Sequence, residues 1–245
     1  MLFRSEIDEA ALKGKPCWLA LDLSNKNDLT ALAAVWDVGD RLYAKVWYWT
    51  PKEGLLDRSR EDATPYDVWV GEKQLEAVPG PVIEKSYVAQ RVAKLVAEHQ
   101  VKALAFDPAG IDDFIRACGE IGLAVWKYEG PDKPEGYGLR LVSHAQGTRV
   151  RFEEKQLSMP RSIERFEDAI LKQKIVIERN KVTRSCAANA LVISDPQNNR
   201  AFDKKRSRGR IDGTVALCMA TGLATQKLAA QPDMNALILE RGGFA

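Results

Sequence analysis

Two apolar stretches in this chain each close on an aspartate, and this restricts the fold more than any other feature. The first is Cys17-Trp18-Leu19-Ala20-Leu21-Asp22 and the second is Val101-Lys102-Ala103-Leu104-Ala105-Phe106-Asp107. Both read as strands. In an open α/β sheet the carboxyl ends of such strands gather on one edge, where sites form. A third aspartate, Asp212, opens an apolar helix predicted over residues 211–228.

The neighbouring pattern fixes how these strands are connected. Residues 5–13 read as a short helical lead-in capped by Ser5 and stopped by Gly14 and Pro16. Residues 29–36 and 41–50 read as two further strands joined by a turn at 37–40, giving a three-stranded antiparallel meander with the first. Residues 51–84 carry prolines at 51, 65, 79 and 81 and are predicted to be a long surface excursion with little regular structure. Beyond it, Tyr87, Val88, Val92, Leu95 and Val96 recur at helical spacing, then come the strand ending on Asp107, a helix from Ile111 to Cys118 and a short strand at 123–126. Helix–strand–helix–strand implies parallel additions to the sheet. Residues 129–157, with glycines at 130, 136, 138 and 147, are predicted to be loop-rich, in part a hairpin. A helix follows at 158–173 with Ile163, Phe166, Ile170 and Leu171 inward, then a strand at 174–177 and a helix at 182–193. The expected class is α/β: a mixed sheet of an antiparallel three-strand meander plus parallel strands, flanked by helices.

Composition narrows the function classes. A chain of 245 residues with 45% hydrophobic and 29% charged residues can build an ordinary core. No window approaches roughly 18 apolar residues, so no membrane partner is expected, and the N-terminus lacks the layout of a signal peptide. Cysteines 17, 118, 186 and 218 are far apart in apolar contexts and read as reduced, buried thiols of a cytosolic protein rather than zinc ligands. The net charge of +2 announces no nucleic-acid partner; its distribution matters more, and the basic run at 204–210 reads either as a solvated loop or as a phosphate contact. Residues 204–210 hold five basic side chains in seven positions and lead directly into Asp212. Lys204, Lys205, Arg206 and Arg208 are the candidate phosphate contacts, sequence-independent and salt-sensitive.

Carboxylates gathered on one edge repel one another unless cations neutralise them. Hard oxygen ligands without histidine or thiolate suit Mg²⁺ or Mn²⁺. Two such ions about 3.5–4 Å apart activate a water and stabilise the leaving oxygen of a phosphodiester. Taken singly, Asp22 and Asp107 could instead begin turns, and Asp212 could cap its helix. Asp28 either stabilises its turn or approaches the site. Asp195, before Pro196, either shapes a turn or supports the ligands from behind. His144 reads as surface filler or as a proton shuttle beside the metals. Asp112 and Asp113 suit a helix start, and Trp36, Trp47 and Trp49 suit cross-strand packing.

Several stretches together resemble the nuclease domain of the large terminase subunit of tailed phages and prophages. They are Trp18-Leu19-Ala20-Leu21-Asp22-Leu23-Ser24 with Asn27-Asp28-Leu29-Thr30-Ala31; Pro65-Tyr66-Asp67-Val68-Trp69-Val70 with Val78-Pro79-Gly80; Ala105-Phe106-Asp107-Pro108; Gln146-Gly147 and Ser158-Met159; and Asn189, Asp195 and the block from Lys204 to Ala216. The match runs from residue 5 to about 225. The resemblance implies a ribonuclease H-like fold. It implies an endonuclease, dependent on two Mg²⁺ or Mn²⁺, that cleaves double-stranded concatemeric phage DNA during packaging in the bacterial host cytoplasm. Asp22, Asp107 and Asp212 would be the ligands, with Asp22 bridging both ions. The small terminase subunit and the portal would be partners of the full-length protein. Residues 1–14 would be a connector from an N-terminal packaging ATPase, 15–228 the nuclease domain and 229–245 a weakly ordered tail. No GxxxxGK[ST] phosphate loop occurs, so no ATP hydrolysis is expected from this chain. The rival readings are a junction resolvase or other nuclease of the same fold, and a non-catalytic docking module for the portal or small subunit.

Overall fold

The computed structural model describes residues 3–5, 7–23, 29–133, 136–149 and 157–226. The chain opens with β1 (Phe3–Ser5) and a one-turn helix α1 (Glu9–Leu12). Asp8, not Ser5, caps that helix, its Oδ1 accepting from the Ala10 and Ala11 N–H groups. β2 (Pro16–Asp22), β3 (Thr30–Val38) and β4 (Arg41–Pro51) form the antiparallel meander, in register from Cys17↔Trp36 to Asp22↔Ala31.

The excursion is more ordered than its prolines suggest. It contains α2 (Leu55–Glu61), α3 (Tyr66–Gly71) and β5 (Glu76–Val78), and β5 pairs in parallel with the end of β4. The Arg58 guanidinium fastens α2 by donating to the Glu53 and Pro51 carbonyls and to Thr50 Oγ1. Tyr66 and Trp69 anchor α3, packed edge to face with ring centroids 5.7 Å apart. Both helices are too short for apolar periodicity to reveal them.

α4 (Lys85–Glu98) and β6 (Gln100–Phe106) follow, then α5 (Ile111–Glu120) and β7 (Val125–Lys127). β8 (Leu139–Ala145) lies parallel to both β6 and β7, so the loop-rich region holds an inner strand instead of a hairpin. β9 (Leu157–Ser158) leads into α6 (Met159–Leu171). In α6, Ile163 is buried as expected, but Leu171 is 79% exposed because it ends the helix beyond the packed face. β10 (Ile175–Glu178) joins the outer edge of β4, and β1 adds to β10. α7 (Lys181–Asn189), capped by Asn180, ends short of the expected residue 193: Val192 and Ile193 instead begin β11 (Val192–Ser194), which pairs with β12 (Arg200–Phe202) in a separate hairpin. α8 (Asp212–Thr225) closes the described chain. The main sheet has the order β1-β10-β4-β3-β2-β6-β8-β7. The antiparallel meander with parallel additions is the expected class.

The two sheet faces differ in kind. Leu19, Leu21, Leu32 and Leu104 meet Val88, Val92, Leu95 and Phe114 of α4 and α5. On the other face, Ala20, Ala31, Ala33 and Ala105 are small, and α8 packs there through Val215, Ala216 and Met219. α8 is buried from Asp212 to Leu223, as a helix apolar all round must be. The four cysteines are buried and free. Among the described residues no helix is long and apolar enough to cross a membrane.

Gly222 marks the closest crossing of α8 with α6. A Cβ there would lie 2.0 Å from Ser162 Oγ, and Ser162 is itself buried and bonded to His144. Gly222→Ala is therefore expected to destabilise the domain by about 1–3 kcal/mol through overpacking, outweighing a helix-propensity gain of about 1 kcal/mol. A lower urea midpoint at unchanged m-value is the expected reading.

Candidate active site

The two acidic strands and the buried helix converge as their sequences suggest. Asp22 closes β2, and Asp212 opens α8; each is only 4% exposed. Asp107 follows directly on β6. β2 and β6 are parallel neighbours, so both strand ends reach the same sheet edge.

The group that joins the aspartates is a lysine. Lys204 Nζ donates to Asp22 Oδ1 and Oδ2 at 2.8 and 2.7 Å and to Asp212 Oδ1 at 3.2 Å. The sequence reading gave Lys204 to the phosphate backbone; here its ammonium is the internal counter-ion of a buried carboxylate pair. Burial pushes Asp22 up to about 7, against the opposing pull of Lys204 and with reinforcement from Asp212 and Asp107. Burial works to lower Lys204, but the two carboxylates prevail and hold it above the ordinary lysine range. Asp212 Oδ2 is buried with no hydrogen-bond partner among the described residues. A buried acceptor of this kind is costly unless a cation meets it, and this is where the site fits a divalent ion.

Asp107 adjoins the pair without closing on it. It stands within electrostatic reach of Asp22, but its Oδ1 accepts from the Ala109 N–H at 3.0 Å in a local turn. Among the described residues no three ligating side chains stand close enough, as they lie, to hold an ion between them.

The remaining candidates are dispersed. Asp28 lies outside the described residues. Asp195 is spent on the β11–β12 turn, accepting from the Gln197 and Asn199 N–H groups and from Asn199 Nδ2. His144 is fully buried, bonded to Ser162 Oγ at 2.8 Å, and burial pushes it down to about 3. Its partner Ser162 meets α8 at Gly222, about 15 Å along the helix from Asp212 at 1.5 Å per residue. The imidazole there is a buried core group and not surface filler.

The basic run is sorted by its partners. Asp203 Oδ1 accepts from the Lys205 and Arg206 N–H groups, and Oδ2 takes Arg206 Nε at 2.6 Å. Arg206 thus folds back onto its own loop. Arg210 reaches Asp62. Lys205 and Arg208 line a groove of about 490 Å³ with Glu61, Asp62, Ala63 and Asp212. A larger cleft of about 670 Å³, walled by Lys45, Trp47, Gln74 and Arg91, opens on the outer edge of β4 and contains none of the three aspartates.

Gly213 went unread in the sequence except as part of a helix start. A Cβ at this position would lie 2.0 Å from Tyr48 Oη, whose hydroxyl is held by Thr183 at 2.8 Å. The first turn of α8 can approach β4 only because residue 213 is glycine, and that approach places Asp212.

Comparison with known proteins agrees with this architecture. A family model described as the endonuclease domain of the terminase large subunit matches residues 4–128 and 141–227. The terminase large subunit of Enterobacteria phage HK97 is 33% identical over 216 residues, 87% of this chain and 38% of that protein. The crystal structure of the HK97 large terminase superimposes with a TM-score of 0.74 at 30% identity, over 91% of this chain and 41% of that one. The large terminase nuclease of thermophilic phage G20c shares the fold at 9% identity, with a TM-score of 0.50 over 84% of this chain and 81% of that one. The fold is ribonuclease H-like. The chain spans about two-fifths of the length of the HK97 protein.

A pH dependence follows from Asp22. Its folded value, about 7, lies above that of the unfolded chain, so charging it costs stability. The metal-free protein should gain stability from this group as pH falls from 7 toward 4, because the folded state then holds the proton more tightly. Cation binding requires the ionised form. Calorimetric Mn²⁺ affinity should therefore fall between pH 8 and pH 6, approaching tenfold per unit below the Asp22 value.

Proposed function

The chain belongs to the endonuclease-domain family of the terminase large subunit, and from that premise we propose that it cleaves double-stranded DNA using two divalent cations, Mg²⁺ or Mn²⁺. Asp22, Asp212 and Asp107 would hold them, with Asp22 between the two. The observation that carries this reading is the pair of buried carboxylates bridged by one ammonium, with Asp212 Oδ2 left unmatched. When bound, the ions would supply Lewis acidity and an activated water at a phosphodiester.

The chain's own residues do the rest. Asp22 and Asp212 are held rigidly by β2 and by α8, so their spacing does not depend on a mobile loop. Lys204 offsets one of the pair's two negative charges and lines the groove beside them. Asp107 joins by rotating off the Ala109 N–H. Lys205 and Arg208 grip phosphates along the groove, and neither has an ion-pair partner among the described residues. Such contacts fix position without reading bases, so cleavage would show little sequence preference. The substrate in the host cytoplasm would be concatemeric phage DNA, delivered by a packaging machine that includes the small subunit and the portal.

One observation favours a rival. Asp107 turned aside is what a docking module with a decayed site would look like, and such a module would bind no Mn²⁺.

Nicking of supercoiled plasmid in Mn²⁺ is the direct test. Asp22→Asn and Asp212→Asn should each lower the rate by at least about a hundredfold. Variants that cut as well as the parent would sink the assignment, and a preference for four-way junctions over linear duplex would redirect it to a resolvase. The double variant Lys205→Ala/Arg208→Ala should weaken duplex binding and flatten the dependence of log K on log salt by about 0.9 for each phosphate no longer neutralised. An unchanged slope would move the DNA path elsewhere.

A further inference from the structure

The groove beside Asp212 has two walls from distant parts of the chain, and the carboxylate of Asp62 ties one to the other. Asp62 lies at the C-terminal end of α2. Its Oδ2 accepts from Tyr66 Oη at 2.7 Å and from Arg210 Nε and Nη2 at 3.3 and 3.2 Å. On its own side Asp62 is rigidly presented. Tyr66 is 3% exposed, set edge to face against Trp69 and packed in the cluster that includes Ile211 and Val215. The next residue, Ala63, is left-handed at φ 46° and closes α2, with Thr64 N–H donating to the Ser59 carbonyl at 3.0 Å. A non-glycine residue in this region is held there by its surroundings.

On the other side, Arg210 stands two residues before Asp212 and six after Lys204. The loop from 203 to 211 therefore has a tie at each end. Asp203 folds its first turn, and Asp62 holds its last residues through Arg210. Between the ties lie Lys204, which bridges the buried acids, and Lys205 and Arg208, which face the groove.

We propose that Asp62 is a positioning residue for DNA cleavage: it latches Arg210, and so sets the loop that presents Lys204 to the carboxylates and Lys205 and Arg208 to the phosphates. This rests on the nuclease reading above. An anion lining a phosphate-binding groove is otherwise a handicap, since it repels the substrate. The latch explains why one stands there. The Arg210–Asp62 pair is about 70% screened from solvent on each side, at 29% and 28% exposure, so its loss should move the loop more than it unfolds the domain.

That handicap gives the test opposite signs. If Asp62 were only a groove anion, Asp62→Asn would tighten duplex binding and leave cleavage equal or faster. As a latch, Asp62→Asn should lower kcat by about tenfold or more, as small misplacements of reacting groups do. KM should rise and metal-free affinity for a fluorescein-labelled duplex should fall, because Lys205 and Arg208 ride on the released loop. Hydrogen exchange across residues 203–211 should rise, with the melting temperature held. Asp62→Glu should recover part of kcat. Arg210→Gln should lower kcat too, and the double variant should be no slower than the slower single, because both remove one interaction. An Asp62→Asn enzyme that cuts like the parent, unchanged exchange in the loop, or effects that multiply would each overturn the latch. If Asp62→Asn does not fold, the Arg210→Gln rate and loop exchange decide alone. A parent chain that neither cuts nor binds Mn²⁺ defeats the nuclease reading itself, whereas an active parent with an indifferent Asp62 defeats only this inference.

Discussion

The molecule is organised around the burial of two carboxylates at the end of a sheet. Asp22 and Asp212 are nearly inaccessible to water, and charge in such a place needs a counter-charge. Lys204 supplies one, reaching both acids with a single ammonium. That contact joins the end of β2 to the start of α8 and to the loop between β12 and α8. One positive charge does not satisfy two carboxylates, and Asp212 Oδ2 remains without a partner among the described residues. That unmatched acceptor is the observation on which the proposed metal binding rests.

Holding the acids there depends on how α8 lies on the sheet. Alanines at 20, 31, 33 and 105 leave a shallow face, and α8 is buried for three turns against it. Two glycines permit the close approaches at its ends, Gly213 against Tyr48 and Gly222 against Ser162. Because helix and strands are both rigid, the spacing of Asp22 and Asp212 is set by core packing. Asp107 differs: it begins a turn, where its Oδ1 accepts from the Ala109 N–H, so its place is set by that turn rather than by core packing.

The surface around the acids is assembled from segments that look unrelated in the chain. The proline-bearing excursion after β4 folds into two short helices and a strand, and Asp62 in it meets Arg210 from the far end of the sequence. The basic run is likewise not a uniform patch. Lys204 turns inward, Arg206 and Arg210 are ion-paired, and only Lys205 and Arg208 line the groove without such a partner among the described residues. Five cations in seven positions thus divide into those tied to carboxylates and those left facing the groove.

Much of this was legible in the chain because it is local. The strands ending on Asp22 and Asp107, the meander, the apolar helix beginning at Asp212 and the short spacing from the basic run to that helix all follow from periodicity and turn chemistry within a few residues. The resemblance of the same stretches to a known nuclease family pointed to the same three acids. What the chain could not reveal is long-range. Nothing near Lys204 announces that it will face Asp22, 182 positions away, and nothing near His144 says it will be sealed under α6. β8 was hidden because Arg140, Ser143 and His144 interrupt its apolar pattern and glycines flank it, so its neighbours β6 and β7 define it. The sequence by itself determined which residues carry charge and on which elements they ride. Only the tertiary structure decided which charges meet, because the partner of a buried ion is selected by packing between segments far apart in the chain.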